Sequence, residues 1–210
     1  MVYQRNVLYA AVCIGAFILF SGCSSTSKVT RVDADTQTDL SGRWNDTDVR
    51  IVCNSLIEDC LNSGRVSQFI VQYAGEHGGN PPTVIVGAFR NDSSEHIDTS
   101  IISKSMEIAI VNSGKLDFVA GGDTRNELRA ERQDQQANAS EETASALGNE
   151  TAANFMLTGA VKVMVDKAGD TSTRTYFVSA ELTNLETSVR LWMGENSEIK
   201  KIIKQAKNKF

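Results

Sequence analysis

Proline occurs only twice in these 210 residues, side by side at Pro81 and Pro82, and histidine only twice. A collagen-like repeat and a chain disordered throughout are thereby excluded. With four cysteines and two histidines there is little raw material for a metal cage or a redox centre. Basic residues are not in excess either: 21 Lys and Arg stand against 26 Asp and Glu, a net charge of −5, which argues against a nucleic-acid ligand. Long apolar runs are missing as well. The longest, Val7 to Phe20, has 14 residues; as a helix it reaches about 21 Å, short of the ~30 Å of a bilayer core. What remains, 41% hydrophobic and 22% charged residues, is the composition of one ordinary globular body.

The early apolar run has the layout of a secretory signal: Arg5 before it and small residues after it. The exit, Leu19-Phe20-Ser21-Gly22-Cys23, resembles the bacterial lipobox, with Phe20 where Leu is usual. The resemblance implies that residues 1–22 are removed and that Cys23 carries lipid. Two or three acyl chains suffice for stable membrane anchoring, where one would bind marginally. Ser24 in place of Asp, by likeness to sorted lipoproteins, implies the outer membrane, on its periplasmic side. Residues 24–38 hold no aromatic side chain and only two valines, so they read as a flexible tether within a 23–45 N-terminal segment. The 22 residues from Cys23 to Asn45 give an r.m.s. span of about 26 Å and a limit of about 75 Å. Cys53 and Cys60 remain in an oxidising compartment, but seven residues apart on one helix their Cα atoms lie about 10 Å apart, too far for a disulfide.

From residue 46 to 210 the periodicity predicts one α/β domain. Asp46-Thr47-Asp48 reads as the N-cap cluster of a helix through Val49, Val52, Cys53, Leu56, Cys60 and Leu61. A weaker helix follows from about Ser67 to Ala74. Thr83 to Phe89 (TVIVGAF) is a continuous apolar run, the pattern of a central strand covered on both faces. Asp98 to Ser113 predicts a helix closed by Gly114, and Leu116 to Ala120 a short strand, together a parallel crossover. Thr124 and Glu127 have capping-box spacing for a charged helix to about Gln135, and a further helix is expected from Asn138 or Ser140 to about Leu147. The period then changes to two over Phe155–Val165, Thr175–Thr183 and Val189–Met193, an antiparallel meander with a turn at Lys167-Ala168-Gly169-Asp170. Ile199, Ile202, Ile203 and Ala206, beside five lysines, predict a basic amphipathic final helix. The fold class is a mixed β-sheet, parallel crossover plus meander, with helices packed on it.

No catalytic constellation emerges. Arg90 to Asp98 (RNDSSEHID) gathers Ser, His and Asp in one loop, whereas a working triad draws them from separate segments. The loop reads as a strand-to-helix connection in which Asp98 caps the next helix, or as a partner surface at the end of a strand. Gly75 to Gly79 (GEHGG) precedes a strand, so phosphate-loop and dinucleotide fingerprints fail. No cofactor, no metal and no enzymatic activity are expected.

Longer blocks carry a resemblance. Asp39–Asp48 (DLSGRWNDTD), Asn91–Thr99 (NDSSEHIDT), Glu131–Gly148 (ERQDQQANASEETASALG) with Phe155–Gly159 (FMLTG), and Glu181–Thr187 (ELTNLET) resemble the LpoB family of lipoprotein activators of penicillin-binding proteins, in the same order from about Asp39 to Lys204. The resemblance implies a body similar to the N-terminal domain of TolB. It also implies a non-enzymatic role: docking from the outer membrane on a bifunctional class A penicillin-binding protein and stimulating its peptidoglycan synthesis. Candidate contacts are Arg90, Asn91, Asp92, Glu95 and His96 in the loop, with Arg125, Arg129, Glu131 and Arg132 on the charged helix. The alternative is a structural adaptor in an envelope assembly, of the kind related TolB-like and CsgG-like folds serve. Enterobacterial members carry a long proline-rich linker, and here no proline precedes Pro81.

Overall fold

The computed structural model describes residues 29–33, 36–140, 142–143 and 150–205. The chain divides into two units, Met1–Thr36 and Gln37–Phe210. In the first, residues 29–33 and 36 are exposed and belong to no helix or strand. Every helix and strand among the described residues lies in the second.

Helix α1 spans Asp46–Asn62. Its cap is Asn45, one residue before the acidic cluster: Asp48 N donates to Asn45 Oδ1 at 3.1 Å and Asn45 N donates to Asp48 Oδ2 at 2.9 Å, a reciprocal capping box. The buried face carries Val49, Val52, Cys53, Leu56, Cys60 and Leu61, as the spacing predicts, plus Ile57. The helix runs unbroken past both cysteines, which are free and buried. Helix α2, Gly64–Glu76, starts three residues before the expected position because Ser63 Oγ accepts from Val66 N at 3.2 Å.

Strand β1 is Thr83–Asn91, helix α3 Thr99–Ser113, strand β2 Asp117–Phe118 and helix α4 Gly122–Asn138. Asp98 caps α3 through Ser100 N at 3.0 Å, and Gly114 closes it at φ 63°. The capping box expected at Thr124 and Glu127 is not made: α4 begins at Gly122, after Gly121, with no side-chain cap. Strands β3 (Phe155–Ala168), β4 (Thr171–Asn184), β5 (Arg190–Asn196) and β6 (Lys200–Lys204) complete the sheet. Its order is β2-β1-β3-β4-β5, with β6 on the same flank of β4 as β5, beside Thr171–Thr175. β2, β1 and β3 are parallel and the others antiparallel, the mixed sheet expected. The helix expected from Asn138 or Ser140 to Leu147 lies largely outside the described residues.

Three expectations need correction. β1 is second in the sheet and not central, and only one of its faces is covered. Val84 is fully buried on the helix side, whereas Ile85 and Gly87 are partly open and Ala88 is exposed. Helix α3 packs over that one face, with α1 beside α3 over β4 and β5, so the apolar run reflects a half-covered strand with a register shift between Val86 and Phe89. In β5 the inward residue is Trp192, while Met193 is 64% exposed; a register shift between Leu182 and Thr183 moves the alternation by one residue. The final basic segment is strand β6 and not a helix. Ile199, Lys201 and Ile203 also alternate, and the free flank of β4 from Thr171 to Thr175 supplies backbone partners that a solitary helix lacks.

The core lies between the sheet and α1 to α3. Phe155, Leu157, Val161, Tyr176, Val178 and Leu182 meet Val52, Leu56, Ile102, Met106 and Ile110, each at most 2% exposed. Side-chain bonds fix α1 to β5: Trp192 Nε1 donates to Asp59 Oδ2 at 2.9 Å and Asn196 Nδ2 to Ser55 Oγ at 3.2 Å.

Candidate functional site

The two groups of predicted contact residues sit at opposite ends of β1. The loop Asn91–Asp98 leaves its C-terminal end, whereas the charged helix hangs from its start, where Val119 N bonds Val84 O at 3.0 Å and Asn154 N bonds Thr83 O at 2.9 Å. Six residues of strand separate Val84 from Arg90, about 20 Å. They form two surfaces and not one.

The loop is knitted by its own polar groups. Asn91 Nδ2 donates to Glu95 O (2.7 Å) and Ile97 O (3.4 Å), while Asn91 Oδ1 accepts from Ser93 Oγ at 2.6 Å and Ser93 N at 3.1 Å. Glu95 turns inward. Its side chain is 10% exposed, Oε2 accepts from Tyr176 OH at 2.8 Å, and Oε1 faces Arg174 Nε at 3.1 Å without the alignment of a hydrogen bond. Burial first, and then the Glu95 carboxylate, push the Tyr176 phenol well above its usual range. What the loop shows to solvent is Arg90, whose side chain is 74% exposed and 3.6 Å from Asp92, together with Asn91, Asp92, Ser94 and His96. The Asp98 carboxyl is held below its ordinary value by hydrogen bonds from Ser100 and, less, by His96.

Helix α4 buries none of its side chains. Arginines hold it to the body. Arg129 grips Glu150 with two bonds, Nε to Oε1 at 2.8 Å and Nη2 to Oε2 at 2.9 Å, and Arg132 Nη1 adds a third to Oε1 at 3.2 Å. These bonds hold the Glu150 carboxyl below and the Arg129 guanidinium above their ordinary values. Arg125 Nε donates to Ala120 O at 2.9 Å, and among the described residues its buried Nη2 has no hydrogen-bond partner. Phe118, Ala120 and Leu128 line, with Arg125, Arg132 and Glu150, a cavity of about 260 Å³. Glu131 lies on the outer side, bonded to Gln135 at 2.9 Å. The pattern that marked the arginines did not single out Glu150, which lies outside every predicted helix and strand. Cys23 and the signal lie outside the described residues.

A third polar cluster was invisible in the sequence. Lys201, its side chain 8% exposed, donates to Asp48 Oδ2 (2.6 Å), Asp39 Oδ1 (2.7 Å) and Arg43 O (2.8 Å). All three of its protons are used. Trp44 packs on Tyr176 with ring centroids 5.2 Å apart, and Gly42, at φ 64°, lets Ile203 approach where a Cβ would lie 2.5 Å from Ile203 Cγ1. The segment Asp39–Trp44 is thus clasped onto β6. Among the described residues, no helix is long and apolar enough to cross a membrane, and no three His, Cys, Asp or Glu side chains converge as metal ligands.

The family model of the peptidoglycan-synthase activator LpoB matches residues 48–198. No sequence among the curated proteins matches the chain. Among solved structures, the LpoB C-terminal domain from Escherichia coli is similar at 14% identity, over 75% of this chain and 99% of that one, with a TM-score of 0.44. The NMR structure of E. coli LpoB is similar at 13% identity over 87% of each chain, with a TM-score of 0.39. Lipoprotein GNA1162 from Neisseria meningitidis is similar at 14% identity, over 61% of this chain and 88% of that one, with a TM-score of 0.35.

Proposed function

Because the chain belongs to the LpoB family of peptidoglycan-synthase activators, we propose that it is an outer-membrane lipoprotein, held through Cys23, that binds a bifunctional class A penicillin-binding protein from the periplasmic side and raises its peptidoglycan synthesis. The family match over residues 48–198 carries this reading. The run Leu19–Cys23 and the polar segment after it support the anchor. Activation requires no chemistry from this chain: a bound effector shifts its partner by contacting two of its conformations unequally.

Helix α4 is the favoured docking element. A 17-residue helix that buries no side chain gains nothing from a core and presents Leu128, 43% exposed, amid arginines. A partner that covers Leu128 and accepts bonds from Arg125 and Arg132 would supply the missing burial. Arg90 and His96, at the other end of β1, form a secondary contact.

The test is glycan-strand synthesis by a purified class A synthase, from its lipid-linked precursor, with and without this protein. Stimulation several-fold is expected, and it should fall to the unstimulated rate when Arg125→Ala and Arg132→Ala are combined in a protein with unchanged circular dichroism. Absence of stimulation, or release of wall fragments by this protein alone, would overturn the assignment.

A further inference from the structure

Strand β6 carries its lysines on two faces. Lys201 and Ile203 turn toward the helix layer, where Lys201 meets Asp48 and Ile203 meets Gly42. Lys200, Ile202 and Lys204 therefore stand on the opposite face of the sheet. They pair with Thr175, Thr173 and Thr171 of β4; across those threonines lie Met164, Asp166 and Ala168 of β3, and Lys162 is opposite Phe177. Residues directly opposite in an antiparallel ladder share a face, so these side chains form one surface. Helices α1 to α3 lie on the other side of the sheet.

The surface has an apolar middle and a basic rim. Ile202 and Met164 are 65% and 62% exposed, Phe177 is half-buried beside them, and the threonines add methyl groups. Lys162, Lys200 and Lys204 are exposed, and among the described residues none of the three is in a salt bridge. Against them stands Asp166, in a chain whose overall charge is −5. Lysine stems lie along apolar surface while their heads reach outward, and an anionic bilayer attracts each such head. The path of the chain points the same way. Asp39 is bonded to Lys201, the residue between Lys200 and Ile202. The 16 residues from Cys23 to Asp39 have an r.m.s. span of about 22 Å. A contact too weak to form between free partners is sufficient at the effective concentration so short a leash gives.

We propose that this face docks the body onto an anionic phospholipid surface, with Ile202 and Met164 at headgroup depth and Lys162, Lys200 and Lys204 on the phosphates. The proposal rests on the lipid anchor at Cys23 and not on the identity of the synthase. Helix α4 hangs from the far end of the sheet, near Phe155, about 30 Å along β3 from Met164, so docking leaves it uncovered.

The test uses the lipidated chain in vesicles of phosphatidylethanolamine with phosphatidylglycerol. Ile202→Cys is labelled with a polarity-sensitive fluorophore, Cys53 and Cys60 being buried; Val71→Cys, at a position 73% exposed on α2, is the control. At 202 the emission should shift to the blue and quenching by acrylamide should fall several-fold, and at 71 neither should change. Lys162→Glu combined with Lys204→Glu should abolish the difference, since each lysine near an anionic surface is worth about 5-fold in docking; Lys162→Arg with Lys204→Arg should keep it. A chain that floats with the vesicles yet leaves position 202 as open as 71, shielding that ignores the glutamate pair, or equal shielding in phosphatidylcholine alone would each overturn the proposal. So would shielding in detergent without a bilayer, which marks a second copy on this face. A chain that does not float at all lacks the anchor, and the proposal falls together with that reading.

Discussion

Replacing Lys201 by Met should be among the most costly single changes in the body. Methionine keeps most of the stem and removes only the charged head, so the loss is electrostatic. The Asp39 arm contributes little, because that side chain is 41% exposed and solvent screens it. The Asp48 arm is different: Lys201 and Asp48 are 8% and 5% exposed and 2.6 Å apart. Removing one partner of a buried pair costs about 3–5 kcal/mol, chiefly from the charge left behind. Asp48 Oδ2 still accepts from Asn45 N at 2.9 Å, which places the expectation near the lower end, about 3 kcal/mol. With a urea slope of about 2 kcal/mol/M, the unfolding midpoint should fall by about 1.5 M. Asp48→Asn combined with Lys201→Met should recover about 2 kcal/mol relative to additivity, since the stranded charge is gone. The Asp39 carboxyl is held below its ordinary value first by the Lys201 hydrogen bond. A depressed folded value means that its share is fully present above the usual carboxylate range and is lost as the pH falls through the lowered value. A midpoint shift below about 0.5 M, or strict additivity in the double variant, would refute the clasp as a buried, coupled pair.

Two other outcomes follow from packing. The Cys53 and Cys60 thiols are pushed up to about 11 and about 12, both chiefly by burial, so a thiolate-selective reagent at neutral pH should miss them in the native protein and reach them in denaturant; native-state labelling at the rate of a free thiol would contradict this. Gly159→Ala would drive a Cβ into the Phe89 ring and the Ser179 carbonyl, and that carbonyl belongs to a strand fixed by the ladder; a cost of about 3 kcal/mol, or roughly 6–12 °C of melting temperature, is expected, whereas Gly64→Ala, which meets nothing within 4 Å, should leave the melting temperature within a few degrees.

The legible parts of this fold are those whose cause is local. The α1 stripe, the Asp98 cap and Gly114 stop of α3, and the long alternation of β3 and β4 each depend on residues a few positions apart, and each forms as its pattern dictates. The errors occur where a distant partner decides. Residues 199–203 satisfy both a helical and an alternating template, and only the unfilled flank of β4, 29 positions earlier at Thr171 to Thr175, settles the choice. TVIVGAF reads as doubly covered because a bulge permits apolar side chains on a face that no helix reaches.

The same reasoning separates the polar residues. Loop position and charge density singled out Arg90, Glu95 and the arginines of α4 alike, yet Glu95 is turned inward by Tyr176 and Arg174, which follow it by 81 and 79 positions. Lys201 sat among other lysines and looked like a solvated face; Asp48, 153 positions away, makes it the most enclosed cation among the described residues. A charge run therefore says nothing about which of its members is structural. What distinguishes them is whether a carboxylate from elsewhere in the chain has already claimed the charge. Arg125, on α4, has a buried Nη2 without a hydrogen-bond partner among the described residues, and that helix buries no side chain. That contrast is the support for proposing α4, and not the denser-looking loop after β1, as the place for a partner to hold.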